Sequence, residues 1–530
     1  MKHRDRWAVP ALLLCLATAA PAAEVLVLEE VIVTAQKRAE NVQDIPVSIN
    51  VVTGELLDSF SIRNTNDLGD SVPGLTIQQT PQNLSQVTMR GLGTGSGGES
   101  LDQSVGLFID GVWAGRIRDF QASLFDVQRI EVIKGTQTSL LGKNTSLGAI
   151  SVISNRPGSQ FGGYVQGDYE FEFGSVFLTG ALDLPTALGD FRIAANVVSE
   201  EGYVDNRATG NEVPEREQTT VRASGAWAIG ERGELLVSYQ WDDLEILGDT
   251  FQPDVDSTGL LQAMDPTADI GVDTTKDGLT SFGSTGDAED EQDSQRALVQ
   301  YDHQLGDFQL TALSGWSEYR NDRLTDSDFL SVDYLTTVYE SDNEQFSQEL
   351  RIASPQDQRL NYVAGLYYLD SEMTYSTLTE ARFPPPFLLS GLPLDTTNLR
   401  LYEQDTTVWS AFGQGQLQLA DHWHATLGLR YTDEEKDAVW ERRRLRTGIS
   451  GSAIIADILA PVVPLTELSR SEENLDGSIN LQYDFDDAMI GYLSWARGSK
   501  SGGFSTEVAV PANAEYDTEE AETTELGIKM

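Results

Sequence analysis

Beyond residue 160 the chain is dominated by stretches in which apolar and polar residues alternate. In residues 475–485 every even-numbered position is polar, while the odd-numbered positions are Leu, Gly, Ile, Leu, Tyr and Phe. A period of two is typical of a β-strand with one apolar and one polar face. Along the chain the pattern predicts about 14 strands. They start near residues 162, 175, 190, 217, 233, 294, 307, 344, 359, 405, 422, 472, 487 and 521.

The connections between these strands alternate between short and long. Residues 188–190 form a short turn, whereas residues 244–293 and 381–403 are long excursions. Short turns at one edge and long loops at the other are typical of transmembrane β-barrels, whose strands present apolar side chains to lipid and polar ones to the lumen. A soluble antiparallel sandwich alternates in the same way. Aromatic residues near strand ends, such as Trp409 and Trp423, favour the membrane barrel.

The first 160 residues show a mixed pattern of short elements. Residues 127–133 and 149–154 read as two strands, and the stretch between them is punctuated by glycine. Residues 53–60 and 64–72 read as two short helices, with Thr53 as the first N-cap. On the strand 127–133, Arg129 and Glu131 share one face and are predicted to pair at the surface.

Residues 1–23 have the composition of a secretory signal peptide. A basic start is followed by a mainly apolar stretch and by the small residues Ala20-Pro21-Ala22. An apolar run of roughly 13 residues is shorter than the about 20 that a spanning helix needs, so an uncleaved anchor is the weaker interpretation. The single cysteine, Cys15, lies inside this segment. The mature chain is therefore predicted to contain no thiol, disulfide or cysteine metal site.

The charge of the chain excludes one class of partner. Lys and Arg number 36 against 83 Asp and Glu, which gives a net charge of -47. Such a surface repels nucleic acid. The mean hydropathy of -0.28 is compatible with a membrane barrel. In such a barrel polar residues alternate with the lipid-facing apolar ones, so the average over the chain stays low.

Four segments carry a family resemblance. They are VPGLTIQ at 72–78, VTMRG at 87–91, VGLFIDGV at 105–112 and the two-strand stretch at 125–157. Together they closely resemble the plug domain of TonB-dependent outer-membrane receptors, the gated transporters of Gram-negative bacteria. The resemblance implies an α+β plug domain inside an antiparallel transmembrane β-barrel. The implied domains are a signal peptide at 1–23, a TonB box and periplasmic linker at 24–40, the plug at 41–160 and the barrel at 161–530.

The number of predicted strands is smaller than the family requires. Plug-filled outer-membrane transporters have 22 strands, so about 14 of the expected 22 are present. An open sheet in lipid leaves unpaired backbone groups at both edges, each costing several kcal/mol. We therefore expect a fragment that forms no heat-modifiable barrel by itself. A closed 14-stranded barrel with a tight lumen stays as an alternative, and the sequence leaves open whether an end at Met530 is biological.

A motif near the mature N-terminus resembles the TonB box of the family. It consists of Glu30, Val31, Ile32, Val33, Thr34 and Ala35. Extended β-branched residues with free backbone groups can add as a strand to a partner sheet. The resemblance implies that the TonB protein and its inner-membrane motor complex pull on this segment. An ordinary first strand of the plug is the alternative, but the position of the motif, after the signal peptide and before residues 44–47, favours the box.

The resemblance implies two further sites in the plug. Arg90 and Lys134 occupy positions where the family pairs basic plug residues with an acidic wall residue, here Glu525, and the alternative is a set of solvated surface charges. Lys134 replaces the more usual Arg and loses its bidentate fork. The glycine-rich stretch after Arg90 implies a ligand-facing plug apex. Its residues are Leu92, Gly93, Thr94, Gly95 and Ser96.

The remaining groups of polar residues give weaker evidence for a binding or catalytic site. His422 and His424 flank Trp423, where an interfacial role is favoured over a metal site. Residues 244–293 contain 13 Asp or Glu against the single Lys276, which favours a solvated acidic face over a Ca²⁺ site and leaves the latter open. No catalytic group, metal or cofactor is predicted, so the chain is expected not to be an enzyme.

The resemblance implies active uptake of a scarce nutrient across the outer membrane of a Gram-negative bacterium. Iron–siderophore complexes are the default ligands of the family, and vitamin B12, haem and oligosaccharides are alternatives. A passive porin or adhesin-type barrel without energy coupling is the second class of function. The implied partners are the TonB protein, outer-membrane lipid and a small-molecule ligand.

Overall fold

The computed structural model describes residues 31–530 apart from 35, 80–83, 96–97, 115, 122, 207, 249–250, 252–254, 268–269, 271–279, 282–287, 384–393, 449–451, 487 and 509. The predicted signal peptide lies outside the described residues. So do Glu30 and Ala35 of the predicted TonB box and Ser96 of the predicted apex. Among the helices that the structure describes, none has the length and apolar character to cross a membrane.

The N-terminal domain, which we call the plug, combines small sheets with short helices. Its elements are β1 (Ile32–Val33), β2 (Glu40–Asn41), β3 (Ile49–Thr53), α1 (Gly54–Ser59), α2 (Thr65–Ser71), β4 (Leu75–Gln79), β5 (Ser85–Met89), β6 (Leu92–Gly93), β7 (Val105–Ile109), β8 (Val112–Trp113), a 3₁₀ helix (Ile117–Gln121), β9 (Val127–Lys134) and β10 (Gly148–Ser154).

The predicted strand pair and both predicted helices of the plug are confirmed. β9 and β10 lie antiparallel at the centre of a five-stranded sheet with the order β3-β9-β10-β7-β8. Thr53 accepts a hydrogen bond from the Leu56 N–H, and Asn64 forms a capping box with Asp67, so each helix starts at a side-chain cap. Ile130, Val132 and Ile150 are fully buried beneath the helices. This apolar core holds the plug as one unit.

Fourteen antiparallel strands form one large sheet, which we call the wall. In chain order they are β11 (Gly162–Tyr169), β12 (Val176–Thr186), β13 (Gly189–Glu200), β16 (Glu215–Ile229), β17 (Gly233–Leu247), β19 (Glu289–Leu305), β20 (Phe308–Asp326), β21 (Leu335–Ala353), β22 (Leu360–Phe383), β23 (Leu394–Ala420), β24 (Trp423–Thr447), β25 (Val463–Asp486), β26 (Met489–Lys500) and β29 (Glu519–Lys529). Shorter elements lie in the connections between these strands. They are β14 (Val204–Asn206), β15 (Glu212–Val213), α3 (Leu260–Met264), β18 (Thr280–Ser281), α4 (Ser452–Leu459), β27 (Gly503–Phe504), a 3₁₀ helix (Pro511–Asn513) and β28 (Glu515–Tyr516).

The wall pairs each strand with its neighbour in sequence and wraps around the plug. Plug side chains contact it from its first strand, where Tyr164 donates to Asp126, to its last, where Thr136 and Thr523 share a hydrogen bond of 3.0 Å. β11 and β29 are the two ends of the sheet and do not pair with each other in the described part of the chain. The predicted 14 strands are confirmed, and the sheet is not closed.

The two faces of the wall have the predicted character. In β25, Leu475 and Ile479 are 64% and 53% exposed on the outer face, whereas Asp476 and Gln482 are each 5% exposed on the inner face. In β25 the odd-numbered residues therefore form a surface suited to lipid, and the even-numbered residues face the plug. We call the edge that carries turns such as 187–188 the short-turn edge, and the opposite one the long-loop edge.

Strand limits differ from prediction mainly at the long-loop edge. β21, β23 and β25 start at residues 335, 394 and 463, about ten residues before the predicted starts at 344, 405 and 472. These extensions carry apolar and polar residues mixed on both faces, so the period of two that marks a strand is lost there. Apolar and polar residues also alternate from Val165 through Phe173, which predicts one strand, but β11 ends at Tyr169 and the rest of that stretch forms a turn.

Candidate functional site

The described part of the predicted TonB box forms one strand of a small hairpin. β1 pairs with β2 so that Ile32 faces Asn41 and Val33 faces Glu40, and the Val42 N–H donates to the Val31 carbonyl over 2.9 Å. Val33 is fully buried, while Ile32 is 41% exposed. The box is therefore an edge segment whose extended backbone is held by two residues of β2.

The residue after β1 is anchored to a buried carboxylate of the plug. The Thr34 N–H donates to Glu131 Oε1 over 2.8 Å, and Arg129 Nε donates to the same oxygen over 2.7 Å. Arg129 and Glu131 are thus partners, as predicted. The prediction that they lie at the surface is wrong, because the Glu131 side chain is fully buried beneath the hairpin. Their pair serves as the attachment point of the box.

The linker that follows is attached to the wall near the short-turn edge. Lys37 forms an ion pair with Glu349 of β21 and lies 4.7 Å from the centre of the Phe412 ring. The turn between β21 and β22 also holds the linker, since Gln356 donates to the Ala39 carbonyl over 3.2 Å. A cavity of about 320 Å³ opens beside these residues, between plug and wall. Withdrawal of the linker would enlarge this cavity.

Glu40 makes the attachment of the hairpin dependent on pH. Burial raises the pKa of Glu40 to about 7, an effect that Arg38 partly offsets and Asp44 reinforces. The docked hairpin therefore binds a proton more tightly than a free segment, whose carboxyl keeps its ordinary pKa of 4.5. A raised acid pKa stabilises the docked form at low pH, and this stabilisation is lost as the pH rises through about 7.

We expect the hairpin to open more often at pH 8 than at pH 5. The buried Val33, replaced by cysteine in the mature chain, gives a single thiol whose labelling by a maleimide reports opening. The ratio of labelling rates between Val33→Cys and Val33→Cys/Glu40→Gln cancels the titration of the thiol itself. This ratio should rise several-fold from pH 5 to pH 8. A constant ratio would contradict the role of Glu40.

Of the three residues predicted to pair between plug and wall (Arg90, Lys134 and Glu525), the structure brings two together. Arg90 Nη2 forms an ion pair with Glu525 of β29, and Tyr492 donates to the other carboxylate oxygen over 2.6 Å. Lys134 instead donates to the Pro73 carbonyl, which lies beside the pair. Lys134 thus lacks a direct contact with Glu525 in this structure. That Arg90 and Glu525 restrain the plug during transport stays a prediction.

The predicted apex lies toward the long-loop edge. Leu92 is 61% exposed, whereas Thr94 is buried and its hydroxyl accepts from the Ser104 N–H over 2.9 Å. Ser104 in turn donates to Glu519 at the outer end of β29. Among the described apex residues Leu92, Gly93 and Gly95 are exposed, and their contact with a ligand stays a prediction.

A buried network of charges between plug and wall was not predicted. Asp102 of the plug lies 2.7 Å from Lys436 Nζ and 3.4 Å from both Lys143 Nζ and Arg116 Nη1. Lys143 also pairs with Glu434 of β24 over 2.5 Å. All five side chains are at most 4% exposed. Plug and wall thus contribute alternating charges to one buried cluster.

Two further buried sets join the plug to other strands of the wall. Arg118 lies 3.0 Å from Asp290 of β19 and 3.3 Å from Glu99 of the plug. Asp126 accepts from Arg192 of β13 over 2.5 Å and from Arg222 of β16 over 2.9 Å. One signal for these sites was present in the sequence, because Arg192 and Arg222 lie on polar strand faces. Sequence alone could not separate such residues from the polar lining of a water-filled lumen.

The remaining predicted positions have structural partners. His424 Nε2 lies 2.9 Å from Asp484, and Trp423 packs on Tyr483 with ring centres 4.9 Å apart. The acidic segment 244–293 begins and ends in β17 and β19, and much of the loop between lies outside the described residues. In the part of the chain that the structure describes, no group of three His, Cys, Asp or Glu side chains is arranged to hold a metal ion.

Comparisons with known proteins agree with this architecture. Residues 41–149 match the family model described as "TonB-dependent Receptor Plug Domain", and residues 240–530, more than half of the chain, match "TonB dependent receptor-like, beta-barrel". The crystal structure of the ferric yersiniabactin uptake receptor FyuA from Yersinia pestis superposes with a TM-score of 0.73 at 17% identity. That superposition covers 91% of this chain and 69% of FyuA.

Two curated relatives are similar over parts of their sequences. The pesticin receptor of Yersinia pestis is 28% identical over 173 residues, 31% of this chain and 24% of the relative. The catecholate siderophore receptor Fiu of Escherichia coli K12 is 23% identical over 296 residues, 54% of this chain and 36% of the relative. The chain thus matches about a quarter to a third of the length of these relatives. Its family models and its fold agree, and the chain belongs to the TonB-dependent receptors, a family of plug-and-barrel proteins of the Gram-negative outer membrane.

Proposed function

We propose that the protein is a receptor for the active, TonB-driven uptake of an iron–siderophore complex. The observation that carries this proposal is the docked β1 hairpin. It offers an extended strand at the short-turn edge, which is the periplasmic side of an outer-membrane barrel. The names of the relatives, a catecholate siderophore receptor and a ferric yersiniabactin uptake receptor, support iron chelates as ligands. The proposed activity is transport, and no catalytic step is part of it.

The geometry gives a sequence of events for this transport. A partner that adds a strand to β1 would compete with β2 for the same backbone groups. Traction on β1 would then break the contact between Thr34 and Glu131 and the ion pair between Lys37 and Glu349. Both contacts lie beside the cavity between plug and wall. Removal of the linker would therefore widen the path along which the ligand leaves.

A passive porin is the alternative function, and one substitution separates the two. Ile32→Pro removes a backbone N–H that strand addition uses, whereas Ile32→Ala keeps it. The side chain of Ile32 is 41% exposed, so neither change disturbs the core. We expect uptake of an ⁵⁵Fe-labelled siderophore by cells to fall at least tenfold for Ile32→Pro and to stay near normal for Ile32→Ala.

The same uptake assay separates coupling from binding. Ile32→Pro should leave binding of the chelate to cells unchanged, because the box lies far from the long-loop edge. Unchanged uptake would overturn the proposal and favour a passive pore.

Glu525→Ala, which removes the partner of Arg90, should lower the ligand concentration needed for plug release. No change in that concentration would exclude the ion pair between Arg90 and Glu525 from the mechanism.

A further inference from the structure

One buried cation of the wall forms no ion pair in the part of the chain that the structure describes. Arg430 of β24 is 2% exposed, and its Nε and Nη1 atoms have no hydrogen-bond partner among the described residues. Its guanidinium instead lies beside two aromatic rings, 5.2 Å from the centre of Phe412 and 5.4 Å from that of Tyr367. A buried guanidinium without a carboxylate is unfavourable. The docked state of plug and wall therefore holds Arg430 in surroundings that suit its charge poorly.

The two carboxylates whose charge acts on Arg430, those of Glu349 and Asp476, are held by other groups. Glu349 pairs with Lys37 of the linker and accepts from Arg351 over 2.9 Å. Asp476 is opposite Arg430 in the sheet, but it accepts a hydrogen bond from a serine of β26 over 3.0 Å. Arg430 can therefore gain a carboxylate only when one of these groups leaves.

Lys37 is the group that traction on the linker would remove. It lies in the turn of the β1–β2 hairpin, and its Nζ is 4.7 Å from the centre of Phe412, so Lys37 and Arg430 lie beside the same ring. Tyr367, the other ring beside Arg430, is the cross-strand neighbour of Glu349. Burial lowers the pKa of Lys37 to about 8, and Glu349 offsets this effect, whereas the charge of Arg430 adds to it. The two cations therefore repel each other near one carboxylate.

Arg430 also supports a segment of the plug. A Cβ at Gly142 would lie 2.6 Å from Arg430 Nη2, so the plug backbone at this glycine lies directly against the guanidinium. Leu140 of the same segment packs in one buried cluster with Phe412. Residues 139–142 thus contact the wall partly through Arg430, and they would lose this support if the guanidinium turned away.

We propose that Arg430 is a positioning residue that replaces Lys37 on Glu349 when the linker is withdrawn. The proposal rests on the transport function above and adds how traction on the linker reaches the plug. The exchange would give Arg430 a carboxylate, and it would keep Glu349 neutralised after Lys37 has left. At the same time the guanidinium would leave Gly142, which would loosen residues 139–142. Withdrawal of the linker and release of this plug segment would thus be one coupled event.

Opening of the hairpin in the purified mature receptor tests the exchange, with maleimide labelling of Val33→Cys at one fixed pH as the readout. Arg430→Gln removes the charge that would replace Lys37, so opening becomes harder and labelling should slow about three- to tenfold. Arg430→Lys keeps the charge and should label within about twofold of its parent. Loss of packing around Arg430 could only loosen the hairpin and speed labelling, so slower labelling cannot arise from misfolding.

Double variants test whether Lys37 is the competitor of Arg430. Lys37→Met vacates Glu349 in advance, so Arg430 would pair with it already in the docked state. Labelling should then be faster than in the parent, and Arg430→Gln should no longer slow it. Arg443→Gln is the matched control, because this arginine of the same strand is 53% exposed and pairs with Glu441. It should leave the labelling rate unchanged in both backgrounds.

The proposal is overturned if Arg430→Gln labels at least as fast as Arg443→Gln, if Arg430→Lys slows labelling as much as Arg430→Gln does, or if the slowing persists in the Lys37→Met background. The labelling assay needs no ligand, partner or cell, so it fails separately from the transport function. Unchanged uptake by cells that carry Ile32→Pro would overturn the transport function, whatever the labelling rates are. Lost uptake in Ile32→Pro together with normal labelling in Arg430→Gln would contradict the exchange alone.

Discussion

Replacing Asp102 with asparagine is expected to lower the free energy of unfolding by about 3–5 kcal/mol, the usual cost of breaking a buried ion pair from one side. The carboxylate is 2% exposed and lies within 3.4 Å of Lys143, Lys436 and Arg116. Asparagine leaves Lys143 and Lys436 with Glu434 as their carboxylate partner and removes the ion-pair partner of Arg116. Because the cluster is buried, bulk solvent compensates little of the excess charge.

Acidification should not reproduce this substitution. Burial by itself raises the pKa of Asp102, but Lys143, Lys436 and Arg116 outweigh it and hold the pKa well below the usual range. A depressed acid pKa gives stability that is present above the ordinary value and is lost only as the pH falls through the lowered one. The network should therefore stay intact at pH 5, where Asp102→Asn is already destabilised.

Urea titration of the purified receptor, followed by tryptophan fluorescence, measures the effect. The double variant Asp102→Asn/Lys143→Met removes one charge of each sign and should recover part of the loss. Glu520→Gln is the matched surface control, because its pair with Arg497 is about half exposed and should be worth less than about 1 kcal/mol. If Asp102→Asn cost no more than Glu520→Gln, the buried network would not hold plug and wall together.

The wall was predictable because its environment repeats along the chain. Each strand meets lipid on one face and the plug on the other, so Leu475 and Asp476 already reveal their sides by alternation. The prediction failed where that environment ends. In the first residues of β23, apolar Leu394 is followed by the buried polar residues Thr396 and Thr397, so no regular apolar period marks this stretch. Local patterning thus recovers the membrane band and misses the strand extensions above it.

The site was predictable only where one segment carried its own signature. The box was predicted from residues 30–35 and from their position between the signal peptide and the plug, but its attachment could not be predicted. Thr34 bonds to Glu131, 97 positions away, and Lys37 pairs with Glu349, 312 positions away. Such pairs depend on how the plug is seated in the wall. The pairing of Arg90 with Glu525 was predicted from the family resemblance. The networks around Asp102 and Asp126 were not predicted, because neither the resemblance nor a local pattern indicated them.

A second large effect is expected at Gly498 of β26, where the backbone of the wall lies close to side chains of the plug. A Cβ at this position would lie 2.1 Å from Thr138 Oγ1 and 2.5 Å from Thr136 Cγ2. Both threonines belong to the plug and are almost completely buried, so they cannot move aside without shifting their loop. We expect Gly498→Ala to weaken docking of this plug segment by about 1–3 kcal/mol, the usual cost of overpacking a closed interface.

Hydrogen exchange of residues 136–146 measures that loss, because about 1.4 kcal/mol corresponds to a tenfold faster exchange through local opening. The backbone of Gly498 lies outside the left-handed region, so alanine adds no conformational strain there. Gly413→Ala on β23 is the matched control, since its Cβ would meet only ordinary contacts at 3.7 Å or more. Equal exchange in the two variants would show that the segment is held by its polar contacts rather than by its fit against the wall. Faster exchange in Gly498→Ala alone would show that release of this plug segment must separate a close-packed surface as well as break ion pairs.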